Sequence, residues 1–123
     1  MVNSRAKGAA GEREWRDVLR SQGYEARRGQ QYSGSPDSPD VVCEALPVHW
    51  EVKRVQSLNI DQAMRQATCD GFAGNIPAVA HRKNGEDWKV TVWAEDFLLL
   101  LRRAGAEKKA DNYHVSKAPK KGR

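Results

Sequence analysis

The chain has 123 residues, a formal net charge of +5 and a charged fraction of 30%. This length suits one domain with a modest core, and a hydrophobic fraction of 39% is typical of a globular protein. The longest apolar run, Phe97 to Leu101, is far shorter than the roughly 20 residues that a membrane-spanning helix needs, so no membrane span is expected.

The first predicted element is a helix over residues 11–22. Trp15 and Leu19 recur on one helical face, and Gly23 follows as a stop. At about 100° per residue, Glu12 falls at the edge of the same face. An acidic side chain there either has a partner, such as a metal ion or a lysine, or reaches solvent from the first turn, and the sequence favours neither.

Three short strands are predicted after this helix, at residues 24–28, 40–43 and 48–54. A loop rich in glycine, serine, glutamine and proline separates the first two, and a Leu-Pro turn separates the last two. The short connection between the second and third strands favours a hairpin.

The second half of the chain predicts a helix, two strands and a final helix, at residues 59–70, 76–81, 88–93 and 94–103. An Asn-Gly pair between the two strands marks their turn. Trp93 is interpreted as a core residue. The final helix is expected to direct Phe97, Leu98 and Leu101 toward the core, with Gly105 just past its end.

The element order α-β-β-β-α-β-β-α predicts an α/β fold with one central mixed sheet flanked by helices, and the domain is expected over residues 1–105.

Residues 102–123 hold eight basic and two acidic side chains, a net charge of +6, which leaves a net charge of −1 for the rest of the chain. A basic tail over residues 106–123 is either a nucleic-acid contact or a solubilising terminus. Both cysteines are expected as buried or half-buried thiols in a reducing, cytoplasmic compartment.

The residues most suggestive of chemistry are Asp40 and the triplet Glu51-Val52-Lys53. Because side chains alternate along a strand, Glu51 and Lys53 share one face, opposite Val52. In a hairpin, Asp40 at the start of one strand can lie beside Glu51 on the next. Two carboxylates so close repel unless a cation lies between them, and Mg²⁺ or Mn²⁺ suits such oxygen ligands.

Similar acid-X-lysine triplets occur elsewhere, at Asp87-Trp88-Lys89 and Glu107-Lys108-Lys109. The first has no acid on a comparable upstream strand and the second lies in the predicted tail, so both are interpreted as solvated charges. Pro36-Asp37 competes with Pro39-Asp40. The second pair directly precedes the Val-Val strand and is therefore preferred.

The arrangement resembles the PD-(D/E)XK nuclease superfamily, with its restriction-endonuclease-like core. The similarity is most specific to Holliday junction resolvases of the archaeal type and to resolvase-like proteins of phages and prophages, and it runs from about Lys7 to Trp93. The features that carry it, in chain order, are Glu12 on the first helix, Ser33-Gly34-Ser35 in the loop, Pro39-Asp40-Val41-Val42, and Glu51-Val52-Lys53-Arg54.

This resemblance implies an endonuclease that depends on Mg²⁺, with Mn²⁺ able to substitute. The implied metal ligands are Glu12, Asp40, Glu51 and a backbone carbonyl near Val52. Lys53 is expected to orient the attacking water or to stabilise charge on the phosphate. Gln66 matches a glutamine that lies near the site in related branches.

The expected partner is DNA, branched in the resolvase interpretation, cut by a homodimer whose two sites act on opposing strands. Phosphate contacts are expected from Arg5, Lys7, Arg13, Arg27, Arg28, Gln30 and Ser35, although any one of them also fits a solvated surface. His49 and His81 are interpreted as structural. Two alternatives stay open: a restriction-like or replication-fork nuclease, and a noncatalytic DNA-binding or assembly module with the same fold.

Overall fold

The structure is a computed structural model that describes residues 4–29, 39–71 and 74–105, with side chains from residue 8 onward. The helices are α1 (Ser4–Ser21), α2 (Ile60–Asp70) and α3 (Ala94–Arg103). The strands are β1 (Arg27–Arg28), β2 (Val41–Val42), β3 (Val48–Arg54), β4 (Ile76–Arg82) and β5 (Lys89–Val92). The predicted element order and the α/β class are confirmed.

The strands of the described ranges form one mixed sheet in the order β1-β2-β3-β4-β5. All neighbouring pairs are antiparallel except β3 and β4, which run parallel with Trp50 beside Ala78. A parallel pair needs a crossover connection, and α2 supplies it. The predicted hairpin of β2 and β3 is confirmed by the antiparallel pairing of Val41 with Trp50.

Helices α1 and α2 pack on opposite faces of this sheet. Trp15 of α1 belongs to a buried cluster that includes Trp50 and Ala80, with the Trp15 and Trp50 ring centroids 5.0 Å apart. Met64 of α2 belongs to a second buried cluster, which contains Val79. Because Val79 and Ala80 are consecutive on β4, they point to opposite faces, so the sheet separates the two clusters.

The first helix and the first two strands differ in length from their predictions. Helix α1 begins at Ser4 rather than at residue 11, because the alanines before Gly11 are strong helix formers although they lack an apolar stripe. Strands β1 and β2 are only two residues each, since a strand extends only as far as its neighbour pairs with it. Gly11 lets α1 approach β3 closely, because a Cβ there would lie 3.0 Å from Cβ of Arg54.

Helix α2 begins at Ile60, one residue after its predicted start, because Asn59 is the N-cap, whose side chain accepts a hydrogen bond from the Gln62 amide at 3.1 Å. Helix α3 has the predicted bounds, and Gly105 follows it with φ +98°. None of the described helices is long and apolar enough to cross a bilayer. Of the two cysteines, Cys43 is buried as expected, whereas Cys69 is exposed on α2, contrary to the prediction.

The prediction that α3 directs its large apolar side chains toward the core is wrong. Phe97 is 51% exposed, Leu98 53% and Leu101 40%, and no residue of α3 is buried. Trp93, interpreted as a core residue, is 44% exposed. Helical spacing identifies an apolar stripe but not what packs against it, and α1 and α2 already cover both faces of the sheet.

Candidate active site

The start of β2 places Asp40 beside β3. The Asp40 amide donates to the Trp50 carbonyl at 2.9 Å, directly before the pairing of Val41 with Trp50. Oδ2 of Asp40 accepts a hydrogen bond from the Val52 amide at 2.9 Å. The carboxylate is therefore held against β3, beside the strand that carries Glu51.

Gly29 packs against the other side of Asp40. Its amide donates to the Asp40 carbonyl at 2.9 Å, which continues the pairing of β1 with β2. A Cβ at position 29 would overlap the carbonyl oxygen of Pro39, so the backbones approach too closely for any side chain there. The sequence placed Gly29 only in a loop, and nothing local to it shows which backbone lies opposite.

Glu51 and Lys53 lie on the same side of β3, as predicted. Trp50 and Val52 pack into the cluster under α1, whereas Nζ of Lys53 lies 3.8 Å from Oε2 of Glu51. Only 6% of the Glu51 side chain is exposed, compared with 32% for Lys53. The ammonium group is therefore the member of the pair that solvent, and so a substrate, can reach.

Glu12 is anchored by Arg28 at the edge of the sheet. Nε and Nη2 of Arg28 both lie 3.0 Å from Oε1 of Glu12, and only 17% of the Glu12 side chain is exposed. Burial raises the pKa of Glu12 above its ordinary value, and the Asp40 carboxylate raises it further, against the lowering effect of Arg28. Arg28 on β1 is thus a partner of the Glu12 carboxylate, and the predicted role of Glu12 as a metal ligand stays a prediction.

The acidic side chains of the site affect one another. Burial raises the pKa of Glu51 to about 7, and the next largest cause is the nearby Asp40 carboxylate. The Lys53 ammonium acts in the opposite direction, while Asp70 and Glu12 add smaller increases. Acids from two helices and from the start of β2 therefore create a negative field around the buried carboxyl group of Glu51 on β3.

The donor groups suit a hard divalent cation. Within the described ranges no three His, Cys, Asp or Glu side chains already form a metal-binding group, but Mg²⁺ usually takes one or two carboxylates and keeps several waters. The Val52 amide points to Asp40, and since the N–H and C=O of a strand residue face the same edge, its carbonyl points to that edge too. A cation between Asp40 and Glu51 would offset the repulsion that raises the pKa of Glu51.

Helix α2 contributes an acid that the sequence analysis missed. Asp70, the last residue of α2, is one of the charges that raise the pKa of Glu51. Gln66, expected near the site, is exposed one turn earlier on the same side of the helix. The four-residue spacing from Gln66 to Asp70 was the signal available in the sequence.

The residues expected to contact phosphate have different surroundings. Arg13 is exposed on α1, and Arg27 is exposed on β1 with Nη2 3.7 Å from Oε2 of Glu44. Arg28 is engaged by Glu12. The side chains of Arg5 and Lys7, and Gln30 and Ser35 as a whole, lie outside the described part of the chain.

The two histidines near β3 have the environments of structural residues. His49 shares the Glu51 side of the strand but is only 1% exposed, so its ring cannot meet a substrate. Nε2 of His81 lies 2.9 Å from the Thr91 hydroxyl, and burial, with a smaller effect from Lys89, lowers the His81 pKa. The burial of His49 and the Thr91 partner of His81 are typical of structural histidines.

Comparison with known proteins identifies no match. No protein-family model, no curated protein and no solved structure matches the chain. The function therefore has to be inferred from the chemistry of the site itself.

Proposed function

We propose that the chain is a metal-dependent endodeoxyribonuclease of the PD-(D/E)XK type, acting in the cytoplasm on DNA. The observation that carries this proposal is the approach of Asp40 to Glu51 across β2 and β3, with Lys53 at 3.8 Å from Glu51. Burying Glu51 among other acids opposes folding when the group is charged. Ionisable groups with such strongly shifted pKa values concentrate at functional sites, because catalysis requires them even though they do not stabilise the fold.

The proposed metal ligands are Asp40, Glu51 and the carbonyl of Val52, with Glu12 at the rim of the site. A bound divalent ion supplies Lewis-acid activation of the phosphate and makes water more acidic. Asp40 is held for this role by the Val52 amide, and Glu51 by the strand pairing on both sides of β3. Ligands on paired strands hold their geometry better than ligands on loops.

Lys53 has the chemistry of the group that meets the reacting phosphate. Its ammonium is partly exposed, carries three donors and lies beside the acids that would hold the metal. In this position it orients the attacking water or donates to a phosphate oxygen on which negative charge builds up. Arg28 positions Glu12 rather than acting on substrate, because Glu12 engages its guanidinium.

The restriction-endonuclease-like core is part of the proposal. Its support is the position of the site at the β2 and β3 hairpin, next to a parallel pair joined through α2. DNA as substrate is supported by exposed Arg13, whose charge acts on Glu12, by exposed Arg27 on β1 and by the +6 charge of residues 102–123. Branched DNA is favoured by the motif similarity to resolvases alone.

A noncatalytic DNA-binding module is the second candidate. The pairing of Glu12 with Arg28 favours it, because the guanidinium occupies a carboxylate that a metal would otherwise use. The two functions differ in one property, since a binding module holds DNA without hydrolysing it whatever metal is supplied.

The deciding experiment is a cleavage assay on labelled four-way-junction, forked and linear duplex DNA, with Mg²⁺ or with EDTA. Lys53→Ala tests the site, and Lys89→Ala is its matched control, because Lys89 ends the similar Asp87-Trp88-Lys89 triplet on exposed β5. The proposal expects Mg²⁺-dependent cutting that Lys53→Ala loses and Lys89→Ala keeps. Binding without cutting under Mg²⁺ and Mn²⁺ would support the noncatalytic module instead.

A further inference from the structure

Helix α3 presents an apolar face to solvent. Trp93, Phe97 and Leu101 follow one another at four-residue intervals, and Leu98 lies beside them, so the four form one stripe. Each is between 40% and 53% exposed. Scattered apolar residues are normal on a protein surface, but a continuous stripe of large ones marks an interaction site. We call these four residues the α3 face.

The domain provides little to hold α3 in place. The helix has 10 residues and none of them is buried, and its contacts with the other described elements are sparse. Helices shorter than about 12 residues are marginal in water without tertiary packing. A hydrogen bond of 2.9 Å from the Trp93 indole to the Thr68 hydroxyl attaches the start of α3 to α2. Asp96, Leu99 and Leu100 on the opposite side of the helix are half-buried, and no residue of α3 is fully buried.

The segment that follows α3 has the wrong chemistry to cover this face. Among residues 106–123, Tyr113 and Val115 are the only large apolar side chains, and six residues are lysine or arginine. Apolar area removed from water stabilises a contact in proportion to its size, and such a segment offers little of it. The occupant therefore has to bring an apolar surface of its own.

The charges of α3 match a second copy of the same helix. Glu95 and Asp96 lie in its first turn, and Arg102 and Arg103 in its last. Exposed Glu95 and Arg102 are seven residues apart, so they lie on the same flank of the α3 face, two turns from each other. When a two-fold rotation packs two α3 helices antiparallel, this flank of one copy lies beside the same flank of the other copy. The two flanks run in opposite directions. Each Glu95 then meets the Arg102 of the other copy.

We propose that the α3 face is a self-association surface, on which two copies of this chain pack their α3 helices antiparallel across a two-fold axis. Phe97, Leu98 and Leu101 form its apolar centre, and the Glu95 and Arg102 pairs flank it at both ends. A contact of one short helix per copy is small, so the association is reversible, with a Kd on the order of micromolar. It requires neither DNA nor metal and does not depend on the proposed nuclease activity.

Sedimentation velocity over a concentration series, in EDTA and without DNA, tests this surface. The full chain is expected to shift from monomer to dimer, and Leu101→Asp to stay monomeric with an unchanged helical spectrum. Glu95→Arg and Arg102→Glu each place like charges opposite one another and are expected to weaken the dimer by roughly tenfold. Glu25→Arg, a reversal at an exposed position before β1, is the control and should associate as the parent chain does.

An equimolar mixture of Glu95→Arg and Arg102→Glu makes the test specific for the two-fold arrangement. In the mixed dimer every reversed residue meets an opposite charge, so dimer formation should return to the level of the parent chain. A parent chain that stays monomeric at every concentration would overturn the proposal, as would a mixture no more associated than its components. Cleavage is assayed separately, so either result leaves the test of the nuclease function intact.

Discussion

The Val52 amide donates to the Asp40 carboxylate across 2.9 Å, so a side chain takes a hydrogen bond that a backbone carbonyl would accept in a longer β2 strand. Asp40 thereby contributes both to the hydrogen bonding of the sheet and to the candidate active site. Two properties follow from this contact: the position of Asp40 depends on the backbone around it, and its charge acts directly on Glu51.

Asp40→Asn separates these two properties. An asparagine oxygen can still accept from the Val52 amide, so the fold should remain intact. The lost negative charge removes the second largest cause of the raised Glu51 pKa, which should therefore fall toward its ordinary value. Carboxyl chemical shifts followed by NMR across a pH titration measure this, and cleavage should drop by about 100-fold or more. A Glu51 pKa equal to that of the parent chain would show that the two groups do not interact.

The metal-free protein should lose stability as the pH rises through the range in which Glu51 titrates. Its pKa is about 7 in the folded state against an ordinary value of 4.5, so between these values the folded state holds the extra proton. The contribution of Glu51 to the free energy of unfolding is then greatest below pH 4.5, falls as the pH rises to 7 and is constant above pH 7. The difference amounts to about 3 kcal/mol.

Urea unfolding in EDTA at several pH values checks this, with Glu51→Gln as the reference because it is neutral throughout. The free energies of unfolding of the two proteins should diverge between pH 4.5 and 7, with the parent chain the less stable at pH 8. Curves that run parallel over this range would mean that Glu51 titrates normally.

Mg²⁺ should raise the melting temperature of the parent chain at pH 8, since a ligand that binds only the folded state stabilises it by mass action. The increase should grow with Mg²⁺ concentration and should be smaller at pH 5, where protons compete for Glu51. Asp40→Asn and Glu51→Gln should lose the response, and Glu44→Gln, an exposed acid outside the site, should keep it. An equal response from all four proteins would place the metal elsewhere.

Gly29→Ala should destabilise the fold and misplace Asp40, because the added methyl group collides with the Pro39 carbonyl. The expected cost is about 1 to 3 kcal/mol, the range for overpacked sites. Gly8→Ala is the matched control, since a Cβ at this helical position meets nothing within 4 Å and should stabilise α1 by about 0.5 to 1 kcal/mol. Thermal unfolding of both variants measures the contrast, and two changes of the same sign would contradict the close approach at Gly29.

Deleting residues 106–123 should weaken DNA binding and flatten its salt dependence, because six basic side chains are lost. Each phosphate contact contributes a little less than one unit to the slope of log K against log salt concentration. Fluorescence anisotropy over a salt series measures this slope. If it does not change, the tail contributes solubility and not binding.

Local sequence pattern was sufficient to predict several features in detail. The alternation of residues 48–54 predicted the bounds of β3 and the shared side of Glu51 and Lys53, and the bounds of α3 followed from its apolar spacing and Gly105. These features depend on residues within a few positions of one another, whose periodicity is set by backbone geometry.

Only the tertiary structure decided which surfaces those elements cover. The pairing of Glu12 with Arg28, the influence of Asp70 on Glu51 and the close approach at Gly29 join residues far apart in the chain or on different elements. The exposure of the α3 face has the same origin, since an apolar stripe is buried only if some surface remains for it to cover. Sequence periodicity determines the secondary structure of a segment. The burial of its side chains and their electrostatic coupling depend on which other parts of the chain pack against it.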